Sequence, residues 1–408
     1  MADGSSVALP VSPAKGLRRW WRAPWTEILV RLASRIRHGC LSLALPGGRS
    51  VVIGERNAPL CADLVIRDEA AIRALLFGGS DGFARAYVDG LWESSDLVAL
   101  IRLGQRNEDA LGETFRGLVP LRIAGWLMHR LRRNSERGSR RNIAFHYDLG
   151  NVFYAHWLDA SMTYSAGLYG TPETTLEQAQ AAKMRRVAEL LELAPAHSVL
   201  EIGCGWGALA EHLVRERGVR VTGLTLSQEQ LAWARSRELA DAEFHLQDYR
   251  RVEGKFDRIV SIEMVEAVGE ENWPRYFETL RERLVPGGIA VLQAITIDDA
   301  RFESYRRNAE FIQREIFPGG VLPSPGAMRA EAARAGLKID HVETFGASYA
   351  RTLAEWRRRF EAAWPQIAAL GFDARFRRLW TYYLAYCEAG FLAGTIDVGL
   401  WRLHRPSG

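Results

Sequence analysis

The stretch from residue 199 to residue 210 constrains the fold more than any other part of this chain. A short apolar run that carries Glu201 is followed by three glycines spaced by one residue, Gly203, Gly205 and Gly207, and then by a helical run. A strand that ends in a glycine turn at a helix N-terminus lets a ligand approach bare backbone. The stretch therefore predicts a buried strand and a ligand-binding turn, and the alternative is a turn that binds nothing.

The spacing of these glycines separates two kinds of nucleotide site. The dinucleotide fingerprint G-x-G-x-x-G requires a third glycine at position 208, where this chain has Ala208. NAD and FAD are therefore disfavoured. The order E-x-G-x-G-x-G instead resembles the first motif of Rossmann-like S-adenosylmethionine methyltransferases.

The chain after this turn alternates between strands and helices. Further strands are predicted at 219–225, 243–249, 256–262 and 289–297, with helical runs between them. Such alternation indicates an α/β fold with a doubly wound, mostly parallel sheet, in which ligands lie at the carboxyl ends of the strands. We expect one crevice to be surrounded by residues 203–207, 225–230, 247–249 and 263–269.

Length and composition indicate two domains. The chain has 408 residues, of which 48% are hydrophobic and 25% charged, so it can bury a large core. Alternating apolar residues between 41 and 67, followed by helical runs, predict a smaller N-terminal α+β domain. The predicted parts are a mobile basic N-terminal segment (1–24), the small α+β domain (25–105), a basic amphipathic connector (106–141) and the Rossmann-like domain (142–408).

Basic residues are concentrated at the front of the chain and in the connector. They interleave with tryptophans between Lys15 and Arg37, and arginines crowd together at positions 130, 132, 133, 137, 140 and 141. Such clusters suit an anionic membrane surface, at roughly 1 kcal/mol per basic residue. The alternatives are a packed terminal helix and a solvated linker. Nucleic acid is disfavoured as a partner because no recognised nucleic-acid module is present.

Three further patterns bear on the location of the protein. No apolar run is long enough to cross a bilayer, and the N-terminus lacks the pattern of a signal peptide. The four cysteines are far apart and form no C-x-x-C pair, which suits a reducing compartment and predicts no metal site. We therefore expect a cytoplasmic protein that associates peripherally with the membrane surface.

Motifs in a characteristic order span residues 140–405. They are Tyr147–Tyr154, Met162–Ser165, Leu200–Gly207, Val221–Ser227, Asp257–Ile262 with Glu266, Pro286–Gly288, Tyr349–Trp356 and Tyr382–Phe391. Together they resemble the cyclopropane-fatty-acyl-phospholipid synthase family, which includes the mycolic acid methyltransferases. Residues 25–105 resemble, more weakly, the lipid-associated N-terminal domain of that family.

The resemblance implies a reaction and a cofactor. The methyl group of S-adenosylmethionine is transferred to a cis double bond of an acyl chain in an unsaturated phospholipid, which gives a cyclopropane ring or a methylene or methyl branch. The resemblance also favours a homodimer, which the chain itself does not indicate. The implied cofactor-binding residues are Tyr164, Ser165, Gly203, Gly205, Thr225, Gln230, Asp248 and Tyr249.

The resemblance further implies a bicarbonate ion that acts as the base, held by a Cys, a Glu, a His, an Ile and a Tyr. Glu266, Ile295 and Tyr349 stand at three of these positions, whereas Ala166 replaces the Cys and Gln293 replaces the His. A glutamine donates hydrogen bonds but carries no charge. The implied catalytic residues are thus Glu266, Tyr349, Gln293 and Ile295, and both bicarbonate and ring closure stay open.

Two other functions stay open at this point. A methyltransferase for a different small molecule would work without lipid, and a relative that has lost its base would bind S-adenosylmethionine without turnover. The basic, tryptophan-rich segments favour the lipid enzyme. The substitutions at 166 and 293 keep the non-catalytic alternative open.

Overall fold

A computed structural model describes residues 24–116, 149–306 and 311–407 of the chain. The predicted basic N-terminal segment, apart from residue 24, lies outside the described residues, and so does the arginine-rich part of the connector. The domain boundaries at 24, 105 and 141 therefore stay predictions.

The N-terminal part is a small sheet covered by helices. Its elements are α1 (Pro24–Ala33), β1 (Cys40–Ala44), β2 (Ser50–Gly54), β3 (Cys61–Ile66), α2 (Ala70–Val88), β4 (Trp92–Glu93), α3 (Leu97–Arg106) and α4 (Glu108–Arg116). The strands lie in the order β2-β1-β3-β4. Alternate residues of β1 and β3, such as Leu43 and Leu64, are buried, as the period of two in the sequence predicts. The helical runs predicted after residue 67 begin with the element α2, which is broken by non-helical backbone at Gly79.

The C-terminal part carries a larger sheet with helices. Its elements are α5 (Asn151–Ala155), α6 (Leu176–Leu190), β5 (Ser198–Ile202), α7 (Ala208–Arg217), β6 (Arg220–Thr225), α8 (Gln228–Arg235), β7 (Ala242–Leu246), β8 (Phe256–Ile262), α9 (Trp273–Arg283), β9 (Leu284–Ile297), α10 (Asp299–Arg306), α11 (Phe311–Glu315), α12 (Pro325–Arg334), β10 (Lys338–Thr344), α13 (Gly346–Ala362), α14 (Trp364–Ala369), α15 (Ala374–Ala393) and β11 (Ile396–His404).

The larger sheet is mostly parallel, as predicted. Its strand order is β10-β11-β9-β8-β5-β6-β7. Strands β5 to β9 run parallel to their neighbours, and β11 pairs antiparallel with both β9 and β10. The central strand β5 is buried on both faces from Val199 to Ile202, as expected for a parallel strand between helix layers. The α/β Rossmann-like fold class is therefore confirmed, with a smaller N-terminal region.

The two parts pack against each other through the long C-terminal helix α15. Tyr382, Ala385 and Ala389 of this helix belong to the same buried cluster as Ile72 and Trp92 of the N-terminal part. Ion pairs border this contact, including Arg378 with Glu93 at 2.9 Å. The N-terminal part is thus anchored on the domain that carries the glycine turn.

Within residues 24–116, 149–306 and 311–407, each helix is too short or too polar to cross a bilayer.

Candidate active site

The glycine turn lies at the carboxyl end of β5, where the chain enters α7. The backbone angle φ is +83° at Gly203 and +51° at Gly205, a left-handed conformation that strains other residues. A Cβ atom built on Gly205 would meet no atom within 4 Å, so the backbone here faces open space. The turn therefore exposes bare backbone at the end of the sheet, as the sequence predicts.

The open space beside the turn is a cavity of about 980 Å³, including its mouth. Its lining comes from the ends of β5, β6 and β8, from α6 and from the segment after α5. Seven of the residues predicted to bind the cofactor line this cavity: Tyr164, Ser165, Gly203, Gly205, Thr225, Gln230 and Tyr249. The sheet thus brings together side chains that are far apart in the sequence.

The polar residues after β6 and β7 hold each other in place. The hydroxyl of Thr225 donates a hydrogen bond to Gln230 Oε1 at 2.8 Å. Asp248, also predicted to contact the cofactor, is not part of the cavity lining. Its buried carboxylate binds the guanidinium of Arg250 at 2.6 Å. At this corner Tyr249 is therefore the residue that reaches the cavity.

A buried lysine and a buried glutamate line the same cavity. Lys183 Nζ donates a hydrogen bond to Ser165 Oγ at 2.6 Å. Burial lowers the pKa of Lys183 to about 8, although the charges of Glu263, Asp159 and Glu201 oppose this shift. Burial raises the pKa of Glu201 to about 8. Sequence reasoning missed Lys183, whose signal is its position within the apolar stripe of α6.

The base site is built around Glu263, the residue that follows β8. One carboxylate oxygen accepts hydrogen bonds from the backbone N–H of Ala166 at 2.9 Å and from Gln293 Nε2 at 2.7 Å. The other accepts from the hydroxyl of Tyr349 at 2.7 Å. Burial raises the pKa of Glu263, against the effect of these three donors. Glu263 also lines the cavity, together with Gly203 and Gly205.

Glu266 lies beside this group. Its Oε1 accepts a hydrogen bond from the backbone N–H of Ile295 at 2.5 Å, and within the described part of the chain its buried Oε2 has no hydrogen-bond partner. Burial, together with the charge of Glu263, raises the pKa of Glu266 to about 8. The structure thus brings together the four residues predicted to be catalytic, and adds Glu263 to them.

Glu263 is the main residue that sequence reasoning missed. The sequence predicts that residues 263–269 border the crevice, and it contains an acid directly after a buried strand. That position is a recognisable signal, because the carboxyl ends of parallel strands carry functional side chains. The resemblance assigns the acidic role to Glu266, three residues further along the chain. It therefore gives no role to Glu263, which directly follows β8.

Tyr164 lines the cavity and forms the front of an aromatic wall, whose other rings belong to a buried cluster packed behind it. Tyr164 contacts the rings of Trp157 and Trp356, with centroids 5.5 and 5.1 Å away. Its hydroxyl lies 2.8 Å from the hydroxyl of Tyr383. The ring of Tyr349 lies 4.6 Å from that of Phe391. Aromatic faces attract cations, so this wall suits a site in which positive charge develops.

The residues present fit S-adenosylmethionine. Two buried polar atoms of cavity-lining residues, Glu201 Oε2 and the Tyr249 hydroxyl, have no hydrogen-bond partner within the described residues. The open space at Gly205 adds room for a ligand next to the backbone. No group of three or more His, Cys, Asp or Glu residues that could hold a metal occurs among residues 24–116, 149–306 and 311–407.

The residues fit bicarbonate poorly. The backbone of Ala166 and the side chains of Gln293 and Tyr349 donate to Glu263, and the backbone of Ile295 donates to Glu266. The donors at the positions implied for the ion thus already have carboxylate partners within the chain.

Comparison with known proteins places this site in a family. The mycolic acid cyclopropane synthetase family matches residues 134–401. The tuberculostearic acid methyltransferase of Mycobacterium tuberculosis is 36% identical over 406 residues, with 94% of this chain and 93% of the relative covered. The cyclopropane-fatty-acyl-phospholipid synthase of Escherichia coli is 37% identical over 353 residues, with 85% of this chain and 88% of the relative covered.

A solved structure has the same architecture. Mycolic acid cyclopropane synthase, complexed with S-adenosylhomocysteine and the detergent CTAB, superposes with a TM-score of 0.61 at 30% identity. The match covers 65% of this chain and 98% of that chain. The fold, the cavity at the glycine turn and the matched motifs lead to one conclusion: the chain belongs to the mycolic acid cyclopropane synthetase family and is an S-adenosylmethionine-dependent methyltransferase.

Proposed function

We propose that this enzyme transfers a methyl group to the cis double bond of an unsaturated acyl chain in a phospholipid. The product is one carbon heavier and carries a cyclopropane ring or a methylene branch, and a methyl branch additionally requires a hydride from a separate reductant. One observation carries the proposal: a single cavity joins the glycine turn, the aromatic ring of Tyr164 and the buried carboxylate of Glu263. These are a cofactor site, a wall for a cation and a group that accepts a proton.

The chemistry explains why these three features belong together. When bound, S-adenosylmethionine supplies an electrophilic methyl group on a positively charged sulfur. An alkene is a weak nucleophile, and its methylation leaves a carbocation on the acyl chain. The ring of Tyr164, which lines the cavity, stabilises that charge, and the aromatic cluster behind it keeps water away. The carboxylate of Glu263 is placed to take up the proton that the chain must lose, and Glu266 lies beside it.

Seven residues would hold the cofactor. They are Tyr164, Ser165, Gly203, Gly205, Thr225, Gln230 and Tyr249, which line the cavity. Lys183 orients Ser165 through their hydrogen bond of 2.6 Å. The names of the relatives support a lipid substrate, since one is a cyclopropane-fatty-acyl-phospholipid synthase and another is a tuberculostearic acid methyltransferase.

The test is an assay with purified protein, S-adenosylmethionine labelled in its methyl group, and vesicles of a phospholipid with cis-unsaturated chains. Mass spectrometry of the fatty acids should detect a labelled gain of one CH2 unit. Vesicles with saturated chains are the control and should gain no label. Analysis of double bonds then distinguishes a cyclopropane from a methylene product.

Two results would contradict the proposal. Labelled methyl transfer to a soluble acceptor without lipid would indicate a methyltransferase for another small molecule. Binding of the cofactor without labelling of any acyl chain would indicate a non-catalytic relative.

We also propose that the protein works in the cytoplasm, peripherally bound to an anionic membrane surface and as a homodimer. The arginines between 130 and 141 and the basic residues between 15 and 37 support the membrane proposal. Light scattering coupled to size-exclusion chromatography tests the homodimer.

The connector gives a specific prediction for membrane binding. Replacing Arg132, Arg133 and Arg137 together by Gln should weaken binding to vesicles that contain phosphatidylglycerol by about 100-fold, since each basic residue contributes roughly 1 kcal/mol. Vesicle co-sedimentation measures this change. Binding should also weaken as salt is added, because salt screens surface charges.

The matched control removes the same charge from another cluster. Arg215, Arg217 and Arg220 are exposed near the C-terminal end of α7, and their replacement by Gln should leave vesicle binding close to that of the wild type. Equal losses from both clusters would mean that only net charge matters and that the connector is not the membrane contact.

A further inference from the structure

We propose that the carboxylate of Glu263 is the enzyme's own general base and that it occupies the place that the family resemblance assigns to a bicarbonate ion. The proposal rests on the proposed function for its reaction, but the structural part of it is independent of the substrate. A chain that carries its base as a side chain needs no dissolved ion for catalysis.

The geometry around Glu263 carries the proposal. The implied bicarbonate positions include Ala166, Gln293 and Tyr349, and all three donate hydrogen bonds to Glu263 at 2.7 to 2.9 Å. Both carboxylate oxygens are engaged. Like bicarbonate, a carboxylate is a planar anion with two oxygens that accept hydrogen bonds. A second anion would find these donors occupied and a negative charge beside it.

The backbone at Glu263 is a second, independent observation. Its φ is +51°, in the left-handed region that favours glycine. Such residues persist where the surrounding structure holds them, and they cluster at functional sites. Here the conformation follows directly after β8, whose last residue, Ile262, pairs with Gln293 of β9. The turn therefore brings the carboxylate to the donor that β9 presents.

The charges around the group support its role as a base. Three donors stabilise the ionised form, and the buried Lys183 adds a positive charge that acts on Glu263. Burial has the opposite effect and raises the pKa of Glu263 above its usual value. A carboxylate that is more basic than usual, and whose ionised form is stabilised by three donors, is suited to accept a proton.

The proton transfer balances without any further reagent. After methylation the acyl chain carries one positive charge. For ring closure, one proton leaves the transferred methyl group, and the electron pair of its broken C–H bond forms a bond to the cationic carbon. For a methylene branch, a hydride first shifts from the methylated carbon to the neighbouring cationic carbon, and the electron pair left by a methyl proton then forms the double bond. In either case the proton binds to Glu263, which becomes a neutral carboxylic acid. The proton passes to water before the next turnover.

The first test measures bicarbonate binding and needs no lipid. In 13C NMR titrations with labelled bicarbonate, the wild-type protein should show no binding. Glu263→Gly should bind the ion, because the substitution empties the site and leaves the three donors in place. Glycine also tolerates the left-handed backbone, so this variant should fold. Glu263→Gln keeps the site filled and should bind no bicarbonate.

The second test measures turnover in buffer freed of carbon dioxide. The wild type should keep its full rate. Turnover by Glu263→Gly and by Glu263→Gln should fall roughly 10²- to 10⁴-fold, the usual contribution of a general base. Added bicarbonate should restore turnover to Glu263→Gly but not to Glu263→Gln. The affinity for S-adenosylhomocysteine should stay within a few-fold of wild type in both, as a check that the cavity is intact.

A matched control separates the carboxylate from the backbone. Glu238 is exposed, lies outside the cavity lining and has the same φ of +51°. Glu238→Gly should bind no bicarbonate and should turn over like the wild type.

The outcomes distinguish the role proposed for Glu263 from the proposed function of the enzyme. Bicarbonate binding by the wild type, loss of wild-type turnover when carbon dioxide is removed, or full turnover by Glu263→Gln would each overturn the role of Glu263. Failure of Glu263→Gly to bind bicarbonate, at unchanged cofactor affinity, would overturn the placement. If the wild type methylates no acyl chain, the proposed function fails, and the binding experiment still decides whether Glu263 fills the place of the ion.

Discussion

Gly205→Val should weaken the binding of S-adenosylhomocysteine by about 100-fold, a loss of about 2.7 kcal/mol. A Cβ on Gly205 meets no protein atom within 4 Å, and the residue lines the cavity. The valine side chain would therefore occupy space that the cofactor needs. Isothermal titration calorimetry with S-adenosylhomocysteine measures the change directly and requires no knowledge of the substrate.

Gly218→Val is the control for backbone strain. Gly218 ends α7, has a φ of +62°, meets no atom within 4 Å at its Cβ position and lies outside the cavity lining. Both substitutions impose a left-handed valine, at roughly 1–2 kcal/mol of stability. Only Gly205→Val should lose affinity for the cofactor. If the two variants bind equally well, the cavity at the glycine turn is not the cofactor site.

The sequence predicted those parts of the site that depend on local pattern. The glycines at 203 and 205, the parallel strands and the crevice at their carboxyl ends follow from residue types at short spacing. The boundaries of helices and strands were less well predicted from the sequence. Strand β9 begins at Leu284, before the Pro286 turn, because its pairing with β8 continues across an irregularity from Phe256 to Arg258. A proline at such a place is compatible with a strand.

Contacts between residues that are far apart in the sequence could not be predicted from local sequence patterns. Tyr349 is 86 residues from Glu263 in sequence, and their hydrogen bond depends on how α13 packs on the sheet. Only the resemblance pointed to Tyr349. The same resemblance assigned the base to an ion and thereby left Glu263 without a role. A positive φ at a glutamate is equally invisible in the sequence, since nothing about the residue type predicts it.

Asp248 is a residue whose side-chain partner could not be predicted. The resemblance implies a cofactor contact, and in the structure Arg250, two residues away, binds its carboxylate at 2.6 Å. A sequence cannot tell whether an acid at a strand end faces the ligand or a neighbouring cation. The cofactor contact of Asp248 stays a prediction, and the cavity lining supports Tyr249 in its place.

Glu266→Gln should lower turnover by roughly 100-fold, within the usual range for acid–base groups, and leave cofactor affinity unchanged. The amide keeps an acceptor for the backbone N–H of Ile295. It removes the carboxyl group that interacts electrostatically with Glu263. Two interacting carboxyl groups titrate as a pair, and the amide can neither take up nor release a proton. Steady-state kinetics should show a fall in kcat with little change in KM for the cofactor.

The matched control is Glu388→Gln in α15. Glu388 is also buried, and it accepts hydrogen bonds from Arg357 at 3.1 and 2.9 Å, outside the cavity. Turnover by the Glu388→Gln variant should equal that of the wild type. Wild-type turnover in Glu266→Gln would remove Glu266 from the catalytic group.

Glu266→Gln should also stabilise the protein at neutral and alkaline pH. In the folded state the pKa of Glu266 is raised from 4.5 to about 8, so between these values the folded protein holds a proton that the unfolded chain has released. Stability from this group therefore falls as pH rises from 4.5 to 8 and stays constant above 8. A neutral glutamine removes that dependence.

The difference in Tm between Glu266→Gln and the wild type should grow in favour of the variant from pH 5 to pH 8, as differential scanning calorimetry would detect. A difference that is constant with pH would mean that Glu266 is ionised in the folded protein throughout this range. A gain in stability together with a loss of turnover would identify Glu266 as a carboxyl group whose burial serves the reaction rather than the fold.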